Sequence, residues 1–175
     1  VDDGARFRRG LLVHKLLEVL PEIPEPERAA RCQAYLDAAA RELEAAGRAE
    51  LVREVLAVLA HPGFARFFGP GSRGEVPIAG TVAGQVISGQ VDRLLVAADG
   101  VHVLDYKSNR PAPQRESEVA PAYLRQMAAY RALLRRLFRD RPVACALLWT
   151  DGPRLMPLSA ALLDRHAPPR ISNKG

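Results

Sequence analysis

GQVISGQVDRLLVAADGVHVLDYKSNR, residues 84–110, reads as two β-branched, apolar strands joined by a tight turn. Val91, Leu95 and Leu104 alternate with Leu94, Val96 and Val103, so both faces of the pair are apolar and need cover on both sides. Yet the same strands carry Asp92, Asp105 and Lys107. Asp99-Gly100 at the tip is a type I′ hairpin signal. A register symmetric about it sets Leu94 opposite Asp105 and Asp92 opposite Lys107, all on one face. The two carboxylates are then diagonal neighbours, with Cα atoms roughly 5–8 Å apart, and a one-residue slip would separate them. Two acids that close in an apolar setting need a counter-charge, because an ion left desolvated costs several kcal/mol. Lys107 offsets one, and a hard divalent cation held by oxygen ligands would offset the rest. The alternative is a buried Asp–Lys ion pair with a spare acid at the strand end.

Working outward, residues 6–20 have helical periodicity stopped by Pro21, and PEIPEPE is a connector. A second amphipathic helix is expected over 27–46 with Gly47 as its C′ residue, and a third over 49–60. Strands follow from Glu75, then an irregular linker over 110–121, a long helix over 123–138, and the strands VACALLWT and RLMPL around a DGP turn. The fold class is therefore α/β (α+β), a mixed sheet flanked by helices with a helical N-terminal part. One domain is expected over 1–164, with its helical part at 6–68, its sheet core and long helix at 73–158, and a flexible tail at 165–175. Val1 in place of Met reads as a piece excised from something larger.

The 48% apolar and 26% charged fractions fit a globular chain, and no stretch is long and apolar enough to span a bilayer. No signal-peptide pattern opens it, so a cytoplasmic site with no membrane partner is expected. Cys32 and Cys145 lack CxxC spacing, which argues for a reducing compartment and against an iron–sulfur cluster or structural zinc. Of the net charge of +5, much lies in Lys107, Arg110, Arg115, Arg125, Arg131, Arg135, Arg136, Arg139 and Arg141, which either suit an anionic partner or form a solvated helix face. GPGSRG at 69–74 lacks the lysine of a phosphate-binding loop, so no ATP site is expected.

Further residues join the two acids. Gly10 and His14 share a face of the first helix, as do Gln126 and Tyr130 on the helix after the linker. Glu75 opens the first strand. Each alone has a plain structural reading: a core histidine, a polar seam, a solvated edge acid. In order, however, G-x3-H, E, G-x2-D-R (Gly89, Asp92, Arg93), D-Y-K and Q-x3-Y resemble the RecB family of PD-(D/E)XK nuclease domains over residues 6–150. RGLLVHKLLE, ISGQVDRLL and VLDYKSNR are especially similar to the C-terminal nuclease domain of AddA-type bacterial helicase–nucleases. The resemblance implies a restriction-endonuclease-like PD-(D/E)XK core. It also implies Mg²⁺ or Mn²⁺ held by His14, Asp92, Asp105 and the Tyr106 carbonyl, and catalysis by Lys107, Asp92, Asp105 and Glu75. Gln126, Tyr130, Arg125 and Arg93 would meet the substrate. The partners it implies are DNA with single-stranded ends made by a helicase, helicase domains of the same parent chain, and an AddB-like subunit of an AddAB/RecBCD-like repair machine. The rival reading is a DNA-binding module on the same fold without chemistry.

Overall fold

A computed structural model describes residues 3–169. Five strands form one sheet in the order β1-β2-β3-β4-β5: β1 (Ser72–Val82), β2 (Gln85–Ala97), β3 (Gly100–Lys107), β4 (Val143–Trp149) and β5 (Arg154–Leu158). The helices are α1 (Asp3–Val19), α2 (Glu25–Ala39), α3 (Ala45–Ala60), α4 (Pro121–Leu137) and α5 (Ala160–Arg165). The expected class, a mixed sheet flanked by helices, is what the chain forms. β1, β2 and β3 are successive antiparallel neighbours. Val101 N–H donates to the Pro142 carbonyl at the start of β3, and Thr150 N–H donates to the Lys107 carbonyl at its end. Start meets start and end meets end, so β3 and β4 run parallel, joined by the α4 crossover that a parallel pair requires.

Two compact units divide the chain. The first comprises residues up to Pro70 with Tyr106–Ala112 and Leu148–Leu155; the second takes Gly71–Asp105, Pro113–Leu147 and residues from Met156 on. In the first, Leu12, Val13, Leu16, Leu17, Leu36, Leu51, Val55 and Val58 make an apolar core. In the second, Val91, Val103, Leu104, Met127, Leu134 and Leu147 do so.

The boundary between α2 and α3 differs from the expectation. Helix α2 stops at Ala39, and Gly47 lies inside the first turn of α3 rather than closing α2. Arg48 explains the break: its guanidinium bonds the Leu43 carbonyl and sits 2.9 Å from Asp37 Oδ1, so the turn between the helices is tied by a side chain. A glycine in a first turn costs little, since those N–H groups have no intrahelical partner in any case.

The β2–β3 hairpin also turns one residue earlier than Asp99-Gly100. Ala97 pairs with Gly100, leaving Ala98-Asp99 as the loop. Gly100 is needed for another reason: φ is +147° there, and a Cβ would lie 2.7 Å from the Pro142 carbonyl oxygen. The register therefore sets Leu94 opposite Val103, not Asp105. Because the displacement is by two residues, every side chain keeps its expected face.

The linker and the segment after β5 hold more structure than expected. Residues Glu116–Glu118 form a 3-10 turn. Glu116 then accepts from the Ser159 N–H at 2.6 Å and the Ser159 hydroxyl at 2.8 Å. Ser159 caps α5, a helix the periodicity reading passed over. Of the expected tail, residues 170–175 lie outside the described residues, while the Pro169 carbonyl accepts from Gln85 Nε2 at 2.7 Å.

Candidate active site

Continuing the β2–β3 register by one residue puts Asp92 directly opposite Asp105. The β1–β2 register, which pairs Gly74 with Arg93 and Val76 with Val91, puts Glu75 opposite Asp92. Three acids thus stand in one row across three neighbouring strands, where facing Cα atoms are about 5 Å apart. Glu75 and Asp92 bring carboxylate oxygens within 4.8 Å of each other. Asp92 is 9% exposed and Asp105 4%. Asp105 is held by other interactions, but its Oδ2 is buried and takes part in no hydrogen bond.

Glu75 is the irregular member. Its φ is +51°, the left-handed region that a strand residue with a side chain avoids. Its carbonyl turns out of the ladder and accepts from Gln90 Nε2 at 3.2 Å. Such conformations persist only where the surroundings over-determine them, and they gather at functional sites.

The first unit holds the other expected residues around the end of β3. Lys107 is half-buried as the last residue of that strand. The Tyr106 ring is 1% exposed, stands edge-on to the His14 imidazole at 5.5 Å between centroids, and stacks on Phe68 at 6.4 Å. A Cβ on Gly10 would meet Ser108 Oγ at 3.1 Å, so the glycine lets α1 lie close to the residue after Lys107, one turn before His14.

A buried polar network that the motif reading passed over fixes the same strand end. Glu54 is 8% exposed. It is ion-paired with Arg9 and with Arg110 Nη2 at 3.3 Å, and accepts from Thr150 Oγ1 at 2.5 Å. Thr150 in turn donates its N–H to the Lys107 carbonyl at 3.0 Å. The signal was present in LVREVLAVL: Glu54 lies on the helical stripe of Leu51, Val55 and Val58, and a carboxylate there needs a buried partner. Hydrogen bonding from Arg110 lowers the Glu50 carboxyl at the edge of this network.

In the second unit, Gln126 Nε2 lies 3.2 Å from the Tyr130 hydroxyl, and Tyr130 is 6% exposed against Gly89. Alternation along β2 sets Gly89 and Asp92 on opposite faces. The pair therefore braces the strand that carries Asp92 from its other side. Arg93 is 2% exposed, whereas Arg125 is open on α4.

Residues 2–164 match the family model of the PD-(D/E)XK nuclease superfamily. The chain belongs to that superfamily. As a PD-(D/E)XK protein it comes from a family of hydrolytic nucleases that typically use a divalent metal. Among solved structures, a candidate exonuclease from Eubacterium rectale superposes with a TM-score of 0.53 at 12% identity, over 86% of this chain and 62% of its own. That likeness shows the fold, and the chain spans less than two thirds of that relative. SSO0001 aligns over 88% of this chain and 71% of its own, at 16% identity and a TM-score of 0.34. No curated protein matches the chain.

A divalent cation fits the residues present. The donor set is carboxylate, which suits hard oxygen-seeking ions, and two or three acids on adjacent strands balance their charge best around one. Among the described residues no helix is long and apolar enough to cross a membrane.

Proposed function

We propose that this PD-(D/E)XK domain hydrolyses phosphodiester bonds of DNA, acting from strand ends, as the nuclease part of an AddAB/RecBCD-like helicase–nuclease in double-strand break repair. One observation carries the chemistry: Glu75, Asp92 and Asp105 stand in a row across β1, β2 and β3 of a chain in this superfamily. The wider role rests on RGLLVHKLLE, ISGQVDRLL and VLDYKSNR, the stretches similar to AddA-type nuclease domains.

Asp92 and Asp105 would hold Mg²⁺ or Mn²⁺, with His14 and the Tyr106 carbonyl as further ligands and Glu75 supporting the ion or a water. When bound, the cation supplies positive charge to the scissile phosphate and makes water more acidic. The protein does the rest. Lys107, two residues beyond Asp105 on the same strand face, orients the attacking water, takes its proton or steadies the charge growing on the phosphate. The rigid sheet fixes the acids more tightly than a loop would. The Glu54 network holds the backbone at Lys107 through Thr150. Gln126 and Tyr130 would act through β2, and Arg125, exposed on α4, would meet a strand. Water attack with departure of the 3′-oxygen leaves a 5′-phosphate and a 3′-hydroxyl.

The test is cleavage of end-labelled single-stranded DNA with Mg²⁺, Mn²⁺ or EDTA, beside Asp105→Ala and Lys107→Ala. Metal-dependent cleavage abolished by both substitutions is expected. Should the wild type stay inert and titration calorimetry show no metal binding, the DNA-binding module becomes the better reading. ATP-driven unwinding coupled to degradation by the full parent protein checks the helicase–nuclease role.

A further inference from the structure

The last turn of α4 and the segment after it hold Arg135, Arg136, Arg139 and Arg141. Arg135, Phe138, Arg139, Asp140, Arg141 and Pro142 line an open depression there. All belong to the second unit, as do the three acids. Several arginines elsewhere are neutralised: Arg9, Arg48, Arg110, Arg115 and Arg131 each face a carboxylate. At this end of α4 they are not. Arg136 bonds the Thr81 carbonyl, Arg139 Nε the Arg136 carbonyl at 3.4 Å, and Arg141 Nη1 the Ala97 carbonyl at 3.0 Å. Among the described residues, none of the four guanidiniums is paired with a carboxylate, and Asp140 is the only acid lining the depression.

Arginines in a last helical turn complement the helix dipole, which accounts for Arg135 and Arg136. It does not account for Arg139 and Arg141, which lie beyond the helix. Nor does solubility explain Leu137, 62% exposed among these charges beside the half-buried Phe138 ring. Clustered uncompensated guanidiniums with apolar and aromatic surface between them suit a polyanion that also presents flat rings, which is a nucleic-acid strand.

We propose that this end of α4 is a second nucleic-acid anchor, separate from the acid row, that grips the backbone of the strand being cut. Arg141 is tied to Ala97, five residues along β2 from Asp92, and Arg136 to Thr81, which pairs with Val86 six residues the other way, so these ties lie on the order of 17–20 Å from the acids along the strand. At about 3.4 Å per phosphate in a duplex that is roughly five nucleotides, and fewer in an extended single strand. The choice of nucleic acid as ligand rests on the nuclease reading; the surface itself does not.

The experiment measures binding of a fluorescent single-stranded oligonucleotide, longer than this span, by anisotropy in EDTA across a salt titration. It compares wild type with Arg135→Gln/Arg139→Gln, which leaves the backbone-tied Arg136 and Arg141 in place. A second double variant, Arg31→Gln/Arg41→Gln, removes equal charge from the first unit. The anchor variant is expected to bind roughly tenfold more weakly at low salt, with a log–log salt slope shallower by about 1.4, at ~0.7 per lost phosphate contact. Equal loss in both variants, no loss in the anchor variant, or no binding by the wild type overturns the proposal. In parallel, hydrolysis of the p-nitrophenyl ester of thymidine monophosphate reads the acid site alone, because that substrate is too short to reach the anchor. It is expected to be unchanged in the anchor variant. Failure of the wild type to cleave the ester in any metal would count against the nuclease reading, while the anisotropy would still decide the anchor.

Discussion

Glu75 holds a left-handed backbone, φ +51°, within a strand, beside Asp92 and opposite it in register. For a residue with a Cβ that conformation costs about 1–2 kcal/mol, which glycine avoids. Glu75→Gly and Glu75→Ala remove the same carboxylate, so their difference isolates the backbone. Glu75→Gly is expected to be more stable than Glu75→Ala by about 1 kcal/mol in urea unfolding, with both lacking nuclease activity. Equal midpoints would mean the conformation is not imposed on the strand. Like charge is the second tension at this scale. Asp105→Asn is expected to raise the thermal midpoint in EDTA, by relieving repulsion with Asp92. It is also expected to lose most of the stabilisation by Mg²⁺, which for the wild type is about 2.7 kcal/mol when the ion is at a hundred times its dissociation constant. A variant less stable in EDTA and still stabilised by Mg²⁺ would show that Asp105 is not part of a charged row.

Helix α4 meets β1 and β2 across two glycines, and the two contacts differ in stiffness. A Cβ on Gly89 would stand 2.2 Å from the Tyr130 hydroxyl and 2.7 Å from its ring; one on Gly80 would meet Leu133 Cδ1 at 2.5 Å. Leu133 can change rotamer, whereas Tyr130 is a buried planar ring tied to Gln126. Gly89→Ala is therefore expected to cost about 2–3 kcal/mol and Gly80→Ala less than ~1.5, and Tyr130→Leu should recover part of the Gly89→Ala loss in a double-mutant cycle. Additive effects would mean the glycine serves some purpose other than room for the ring. This contact also shows what sequence can and cannot carry. Spacing alone paired Gln126 with Tyr130, because i, i+4 on a helix is a local rule, and the motif resemblance named Gly89. Neither showed which face of β2 the pair braces. The same holds for the hairpin: alternation put Asp92 and Asp105 on one face, while the pairing itself was displaced by two residues. Gly100 is demanded by the approach of Pro142, forty-two positions away in the chain, and no local turn signal contains that. The α2–α3 break was hidden likewise, since it depends on Arg48 reaching back to Leu43 and Asp37.

Across the whole chain, each compact unit buries one thiol, Cys32 in the first and Cys145 in the second. Burial pushes the Cys32 thiol up to about 11 and the Cys145 thiol up to about 12. Both are then fully protonated near neutral pH, and the thiolate needed for alkylation forms only once the surroundings open. The cysteines thus report, separately, the unfolding of the two units. The unit boundary between Asp105 and Tyr106 falls two residues before the end of β3, and the one between Leu155 and Met156 cuts β5. Losing either unit alone would break a strand's ladder partway along and leave its backbone groups unpaired, at about 1–3 kcal/mol for each one still buried. That cost favours a single cooperative transition, as a domain spanning 1–164 requires. Iodoacetamide labelling followed by mass spectrometry in a urea series is therefore expected to modify neither cysteine in the native protein and both at the same midpoint. A Cys32 midpoint well below that of Cys145 would instead establish that the helical unit unfolds on its own.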